Sequence, residues 1–325
     1  MEGERWKFVG GKVGNVVWLP HGRHFVTAAW DSRPNMVSLW CDEPEAVDPV
    51  AVASVAAGST ADMVVVDDGH VAVLSEAGTL SLLELEAGYA DLVPVMVIDD
   101  VHSGGAGAAL AAAPSAPLAA TSPEEGGVLV VDWAAGGQVV AAMGGGPLAS
   151  PVSDLAWVGA SQIVAVGMHL EVWDTRSASA AMVLKDAGPG TVVHTVAVHP
   201  NQPDFLATGG SDGMLSVWDL RSAGSAVTKI HAHSSDVWDI EFSPHAPDTV
   251  FSCADDGTVL RWNFNANKDR NRSTFAFRDD SNIAIDQILD SMLPVNSLAL
   301  SASDTLLCGA DNGFVLLPGL PAADE

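Results

Sequence analysis

The chain has 325 residues, 41 of them acidic and 14 basic, for a formal charge of −27. That balance excludes a protein that neutralises nucleic-acid phosphates with clustered Lys and Arg. Its three cysteines, Cys41, Cys253 and Cys308, make neither a disulfide framework nor a metal-ligand spacing, and the pattern fits a reducing compartment. The length suits one large all-β unit spanning 1–325.

In chain order, Met1-Glu2-Gly3-Glu4-Arg5 is charged and carries no apolar signal core, so no secretory leader is expected. Asn271-Arg272-Ser273 is then an idle glycosylation match. Trp6 and Phe8 alternate as in a short strand. Val13, Val16 and Trp18 follow at a spacing of three and then two. The same spacing returns at Val152/Leu155/Trp157, Val193/Val196/Val198, Val237/Ile240/Phe242 and Val295/Leu298/Leu300. Strict alternation would space these residues by two throughout, so each strand is expected to hold a β-bulge. The bulge pairs are Gly14-Asn15, Ser153-Asp154, His194-Thr195, Trp238-Asp239 and Asn296-Ser297.

A second set of strands falls near Met36 to Trp40, Thr79 to Leu85, Val128 to Trp133, Leu170 to Trp173, Met214 to Trp218, Thr258 to Trp262 and Phe314 to Leu317. The tryptophans Trp133, Trp173, Trp218 and Trp262 lie 40 to 45 residues apart, and Trp-Asp pairs close two of these strands. Thr208 to Gly213 leads to Trp218 as Ser252 to Gly257 leads to Trp262, each through an Asp-Gly turn between two strands. Such a period marks four-stranded blades that bury their faces only against copies of themselves. The count is seven: a single seven-bladed all-β propeller. Additional runs at Ala61 to Val66, Val71 to Leu74 and Gln138 to Met143 supply blades two and three. Too few residues follow Leu317 for a further strand, so the N-terminal segment is expected to pair into the last blade and close the ring.

No Lys or Arg occurs from Pro34 to Thr175, where 19 Asp and Glu do. This half-ring reads as an acidic solubilising surface or as a docking face for a basic partner. The Ala-rich stretch from Ala106 to Ala120 is broken by Pro114 and Pro117 and is not expected to span a membrane. After Trp262, residues 264–293 read as an inserted loop. Within it Ile285, Ile288, Leu289 and Met292 follow helical spacing, with Asp280 or Ser281 as a cap, and predict a short amphipathic helix or partner-docking element. Arg261, Lys268, Arg270, Arg272 and Arg278 gather there, too dilute and too mixed with Asp for an import signal.

Enzymatic patterns fail on context. Gly209-Gly210-Ser211-Asp212-Gly213 matches a nucleophile elbow, but a strand, not a helix, follows it. His231-Ala232-His233 is half of a metal site at most. Its structural reading is a buried chain in blade six, with the Trp262 indole on Ser252, Ser252 on His233 and His233 on Asp256. Blade five keeps Thr208, Asp212 and Trp218 but has Pro189 at the histidine position, so its chain is expected to be incomplete. No catalytic residue, cofactor or metal ligand is assigned.

The run His199-Pro200-Asn201-Gln202, then Ala207 to Gly210, Asp212-Gly213-Met214-Leu215-Ser216, Trp218-Asp219 and Arg221, resembles the small WD-repeat nucleoporin of the Y-shaped outer-ring complex of the nuclear pore. Blade six adds Ala232-His233, Trp238, Phe242, Pro244, Phe251, Cys253, Asp256-Gly257 and Trp262. The ends add Lys7-Phe8-Val9, Lys12-Val13, Trp18, Trp30-Asp31, Ser38-Leu39-Trp40, Val295 to Leu298 and Leu307-Cys308-Gly309. From Pro44 to Ser150 only the strand pattern is similar. The resemblance implies a non-catalytic scaffold at the nuclear pore complex of the nuclear envelope. Its implied partners are an α-solenoid nucleoporin and other outer-ring nucleoporins, its role protein and mRNA transport, with no direct nucleic-acid contact and no membrane insertion. The bulges lie on one face of the propeller, and there Trp238, Asp239, His194, Asp154 and Asn15 are the candidate partner-binding residues. Trp238 is the anchor, since interface hot spots favour Trp; its structural reading is rim packing over the neighbouring blade. The alternative is a substrate receptor of a cullin-RING ubiquitin ligase, because Trp173 to Arg176 and Trp218 to Arg221 both fit Trp-Asp-x-Arg. Arg176 and Arg221 would then bind the adaptor.

Overall fold

The computed structural model describes residues 4–31, 33–43, 48–86, 88–144, 150–177, 180–184, 190–222, 225–264, 283–302 and 305–317. Its strands form seven four-stranded antiparallel sheets, each running from an inner to an outer strand. Blade one holds β2 Lys12–Trp18, β3 His24–Trp30, β4 Asn35–Cys41 and β5 Val50–Ala57. Blade two holds β6 Thr60–Asp67, β7 His70–Ser75, β8 Leu80–Leu85 and β9 Leu92–Ile98. Blade three holds β10 Gly107–Ala112, β11 Leu118–Pro123, β12 Val128–Asp132 and β13 Gln138–Met143. Blade four holds β14 Val152–Val158, β15 Gln162–Gly167, β16 Leu170–Asp174 and β17 Ala180–Leu184. Blade five holds β18 Val193–Val198, β19 Phe205–Gly210, β20 Met214–Asp219 and β21 Thr228–His231. Blade six holds β22 Val237–Phe242, β23 Thr249–Ala254, β24 Thr258–Asn263 and β25 Ala284–Asp290. Blade seven holds β26 Val295–Leu300, β27 Leu306–Ala310 and β28 Gly313–Leu317, and its outer strand is β1, Arg5–Phe8.

The ring therefore closes through the N-terminal strand, with Trp6 opposite Val315 and Phe8 opposite Gly313. The apolar cores lie between blades, because each sheet has two apolar faces and only neighbouring blades can cover them. At the closing seam Phe25 and Trp40 of blade one meet the wholly buried Phe314 of blade seven, at ring separations of 5.2 and 5.0 Å. Burying side chains of this size stabilises the fold by roughly 1.5–3 kcal/mol each. Polar contacts reinforce the seam, since Arg5 forks onto both carboxylate oxygens of Asp42 at 2.6 and 2.8 Å. The Asp-Gly turns need their glycines: Gly213 and Gly257 have φ of +70° and +79°, and a Cβ at either would lie 2.2 or 2.1 Å from a backbone oxygen of the next blade connection.

The short helix is corrected. Ile285, Ile288 and Leu289 belong to β25, which pairs along β24 from Thr258↔Asp290 to Asn263↔Ala284. A register shift between Val259 and Leu260 adds one residue on β25, so Ile288 and Leu289 both turn toward the core between blades six and seven. Together with Ile285 this gives a spacing that imitates a helical face. Met292 lies past the strand and is 102% exposed, not packed on the ring. Residues 265–282, with Lys268, Arg270, Arg272, Arg278, Asp280 and Ser281, lie outside the described residues, as does Pro189. Among the described residues no helix is long and apolar enough to cross a membrane.

Candidate partner-binding site

The seven inner strands converge on the central channel, and each shifts register near its start. The shifts span Val13/Asn15, Val152/Asp154, Val193/Thr195, Val237/Asp239 and Val295/Ser297, the five bulges read from the sequence. Two more span Thr60/Asp62 and Gly107/Ala109. Their signal was present, since Thr60/Met63/Val65 and Gly107/Leu110/Ala112 repeat the three-then-two spacing with Thr or Gly in place of the leading Val. At this end of the channel the bulges surround a cavity of about 830 Å³ lined from all seven blades.

The two residues of each bulge point differently. The second, in Asp62, Asp154 and Asp239, is turned into the channel wall, where one carboxylate oxygen accepts the N–H of its own following residue and the other reaches the next blade. Asp62 takes the N–H of Leu110 at 2.7 Å, Asp154 that of Val196 at 2.8 Å, and Asp239 that of Leu298 at 2.7 Å. Blades two and three, four and five, and six and seven are thus clasped in pairs. Asn15, at the same position in blade one, donates Nδ2–H to Asp62 at 3.4 Å. Burial raises Asp154 to about 6 against the hydrogen bonds from Val196 and Leu155. Burial, with the charge of Asp154, raises Asp239 to about 7 and pushes Asp62 well up. Asp154, Asp239 and Asn15 thus tie neighbouring blades together while their side chains also line the cavity.

The first residues are Gly14, Ala61, Ala108 and Ser153 in blades one to four, His194 and Trp238 in blades five and six, and Asn296 in blade seven, so among these positions only blades five and six supply aromatic rings. Trp238 is 37% exposed and leans on His194, with ring centroids 4.7 Å apart. His194 is held in turn by Asp236 at 3.1 Å. Rim packing and exposure therefore coexist in Trp238. Where blades seven and one meet at the mouth, Lys12 sits 4.9 Å over the ring of Trp30 and 3.2 Å from Asp311; this pair was not read as a site from the sequence.

In blade six the Trp262 indole donates to Ser252 Oγ at 2.9 Å, and Ser252 Oγ lies 2.7 Å from His233 Nε2. His233 Nδ1 meets Thr258 Oγ1 at 2.8 Å and Asp256 Oδ1 at 3.4 Å, and Thr258 donates to Asp256 at 2.7 Å. Thr258 is the member that sequence reasoning missed. Burial lowers His233, with Asp256 opposing; burial raises Asp256, but the bonds from Thr258 and Ser234 outweigh it and leave it low. Blade five has the Trp218–Thr208 bond at 2.9 Å, while Asp212 accepts from Met214 N–H at 3.1 Å. Blade one repeats the pair in Trp40 and Thr27 at 2.9 Å. His231 is exposed where His233 is buried, and among the described residues no cluster of three His, Cys, Asp or Glu side chains is arranged to hold a metal ion.

Arg176 and Arg221 follow the third strands of their blades, on the face opposite the bulges. Each guanidinium forks onto the aspartate two residues earlier, at 2.8 and 2.6 Å for Asp174 and at 2.8 and 2.9 Å for Asp219. Arg221 also covers the Phe205 ring at 5.0 Å.

Residues 183–219 and 224–263 match the WD40 family, described as WD domain, G-beta repeat. Along most of its length the chain is similar to Nucleoporin Nup43 of Homo sapiens, at 24% identity over 94% of this chain and 95% of that protein. Nucleoporin Nup43 of Mus musculus is 25% identical over 83% of this chain and 78% of its own. Nuclear pore complex protein nup43 of Dictyostelium discoideum is 29% identical over 31% of this chain and 24% of its own.

Proposed function

We propose that this WD-repeat propeller, similar to the Nup43 nucleoporins, is a non-catalytic scaffold subunit of the nuclear pore complex at the nuclear envelope. In this reading it sits in the outer ring, binds an α-solenoid nucleoporin among others, and supports passage of protein and mRNA. The likeness to Nucleoporin Nup43 across 94% of the chain carries the proposal. A closed ring with seven interlocked blades suits a rigid docking platform, and Trp238, propped on His194 at the open mouth, has the exposure and aromatic bulk of an interface anchor.

The test is the affinity of purified protein for the α-solenoid nucleoporin. Trp238→Ala should weaken binding by roughly 2 kcal/mol or more with an unchanged melting temperature, whereas Arg176→Ala and Arg221→Ala should matter little. Loss of binding only in the arginine variants, with capture of a cullin adaptor by the wild type, would overturn the proposal in favour of a ligase receptor.

A further inference from the structure

Each blade leaves its outer strand with one unpaired edge, a template for another chain that proteins ordinarily blunt with charge, proline, bulges or brevity. Blades five to seven are blunted by charge: the edges carry Lys229 in β21, Asp286 and Asp290 in β25, and Arg5 and Lys7 in β1. The edges of blades one to four, β5, β9, β13 and β17, contain no charged residue. Of these, β9 is interrupted by Pro94, and β13 and β17 are only 6 and 5 residues long. β5 has 8 residues, all Val, Ala or Ser. Its register shift falls at Leu39/Trp40 and leaves Ala53 to Ala57 in unbroken pairing with β4. Ala53, Val55 and Ala57 of that run pack on the core between blades one and two, while Ser54 and Ala56 are exposed and too small to keep a second backbone away.

The ground around this edge is mainly acidic, with Arg23 near Cys41 and Arg5 held by Asp42 as the cations at its start. Glu43 and Asp48 precede β5, Asp91 opens β9, and Asp99 and Asp100 close it, all exposed. No Lys or Arg exists anywhere from 34 to 175. Two copies paired through β5 would set these exposed carboxylates against one another, which disfavours self-pairing. We propose that the free edge of β5 takes an extended segment of a partner protein as an added strand, apolar or small at alternate positions and flanked by Lys or Arg that answer the acidic surround. This surface is separate from the mouth at Trp238, and the proposal stands independently of the one above. Main-chain hydrogen bonds would give such a site its affinity and the flanking charges its selectivity.

The probe is a ten-residue peptide of alternating valine and serine with two lysines at each end, mixed with the full chain. Hydrogen exchange should slow within Val50–Ala57, and binding should fall at least tenfold in the double variant Ser54→Lys/Ala56→Lys, whose exposed positions spare the core. A glutamate-flanked peptide should bind at least tenfold more weakly, and 0.5 M salt should narrow that gap. Equal binding of both peptides, protection confined to the channel mouth, or light scattering showing dimers that the double variant dissolves would each overturn the proposal.

Discussion

Ser252 Oγ serves two buried donors or acceptors at once, and His233 beyond it serves two more, so each side chain of the blade-six chain depends on its neighbours for satisfaction. Asp256 anchors the far end, taking bonds from Thr258, from the backbone of Ser234 and from His233. Asp256→Ala should therefore cost about 1–3 kcal/mol in chemical denaturation, the usual penalty for stranding buried polar groups. Asp255→Ala in the same turn should cost little, since Asp255 is exposed and meets only Ser235 at 3.5 Å. Equal losses would mean the chain does not bear on stability. In blade three the position that Thr27, Thr208 and Ser252 occupy elsewhere is Ala119, and the buried Trp133 indole N–H has no partner among the described residues.

Element by element, the sequence carried most of the fold. The three-then-two spacing marked inner strands because a bulge there is repeated in every blade, and the Trp positions marked third strands because each faces the same gap between sheets. Outer strands were the least legible. They bury one face only partly and pair along one edge, so their residues answer to solvent as much as to core, and β25 imitated a helix. Side-chain roles at the mouth were legible by position but not by direction, which depends on which residue of a bulge turns inward. The closing strand β1 is short, and its contribution lies in capping β28 and in the Arg5–Asp42 fork to blade one. Deleting residues 1–10 should lower the melting temperature or cause aggregation by exposing the β28 edge, checked by thermal scanning with light scattering. An unchanged scan would show that the ring holds without it.

Across the whole molecule the channel concentrates carboxyl groups on one axis: Asp62, Asp154, Asp239 and, two residues along β22, Glu241. Burial and the nearby Asp239 raise Glu241 to about 8 against the hydrogen bond from Leu300. The folded chain thus holds protons that the unfolded chain, with ordinary carboxyls, has released by pH 5. Stability from such groups is complete below their unfolded values and is lost as pH rises through the folded ones. His24, His102, His199 and His233 are lowered, first by burial, and act with the opposite sign, but only near and below 6.5, the ordinary histidine value. Between pH 6.5 and 8 the carboxyls act alone, so the melting temperature should fall over that interval. Glu241→Gln, which keeps the acceptor for Leu300, should gain on the wild type more at pH 8 than at pH 5. A constant difference between the two would show that Glu241 ionises normally.

Closure by β1 also sets an order in time. Arg5–Phe8 leaves the ribosome before the other described strands, but its pairing partner Gly313–Leu317 follows all of them. At about 5–20 residues per second, the roughly 300 residues between them take on the order of 15–60 s to synthesise. Throughout that interval Trp6 and Phe8 have no sheet to join, while blades one to six can already stack in sequence. The ring is completed only once Gly313–Leu317 has been made, so a nascent chain halted before Gly313 would be an open arc with two bare ends, and a candidate for chaperone capture.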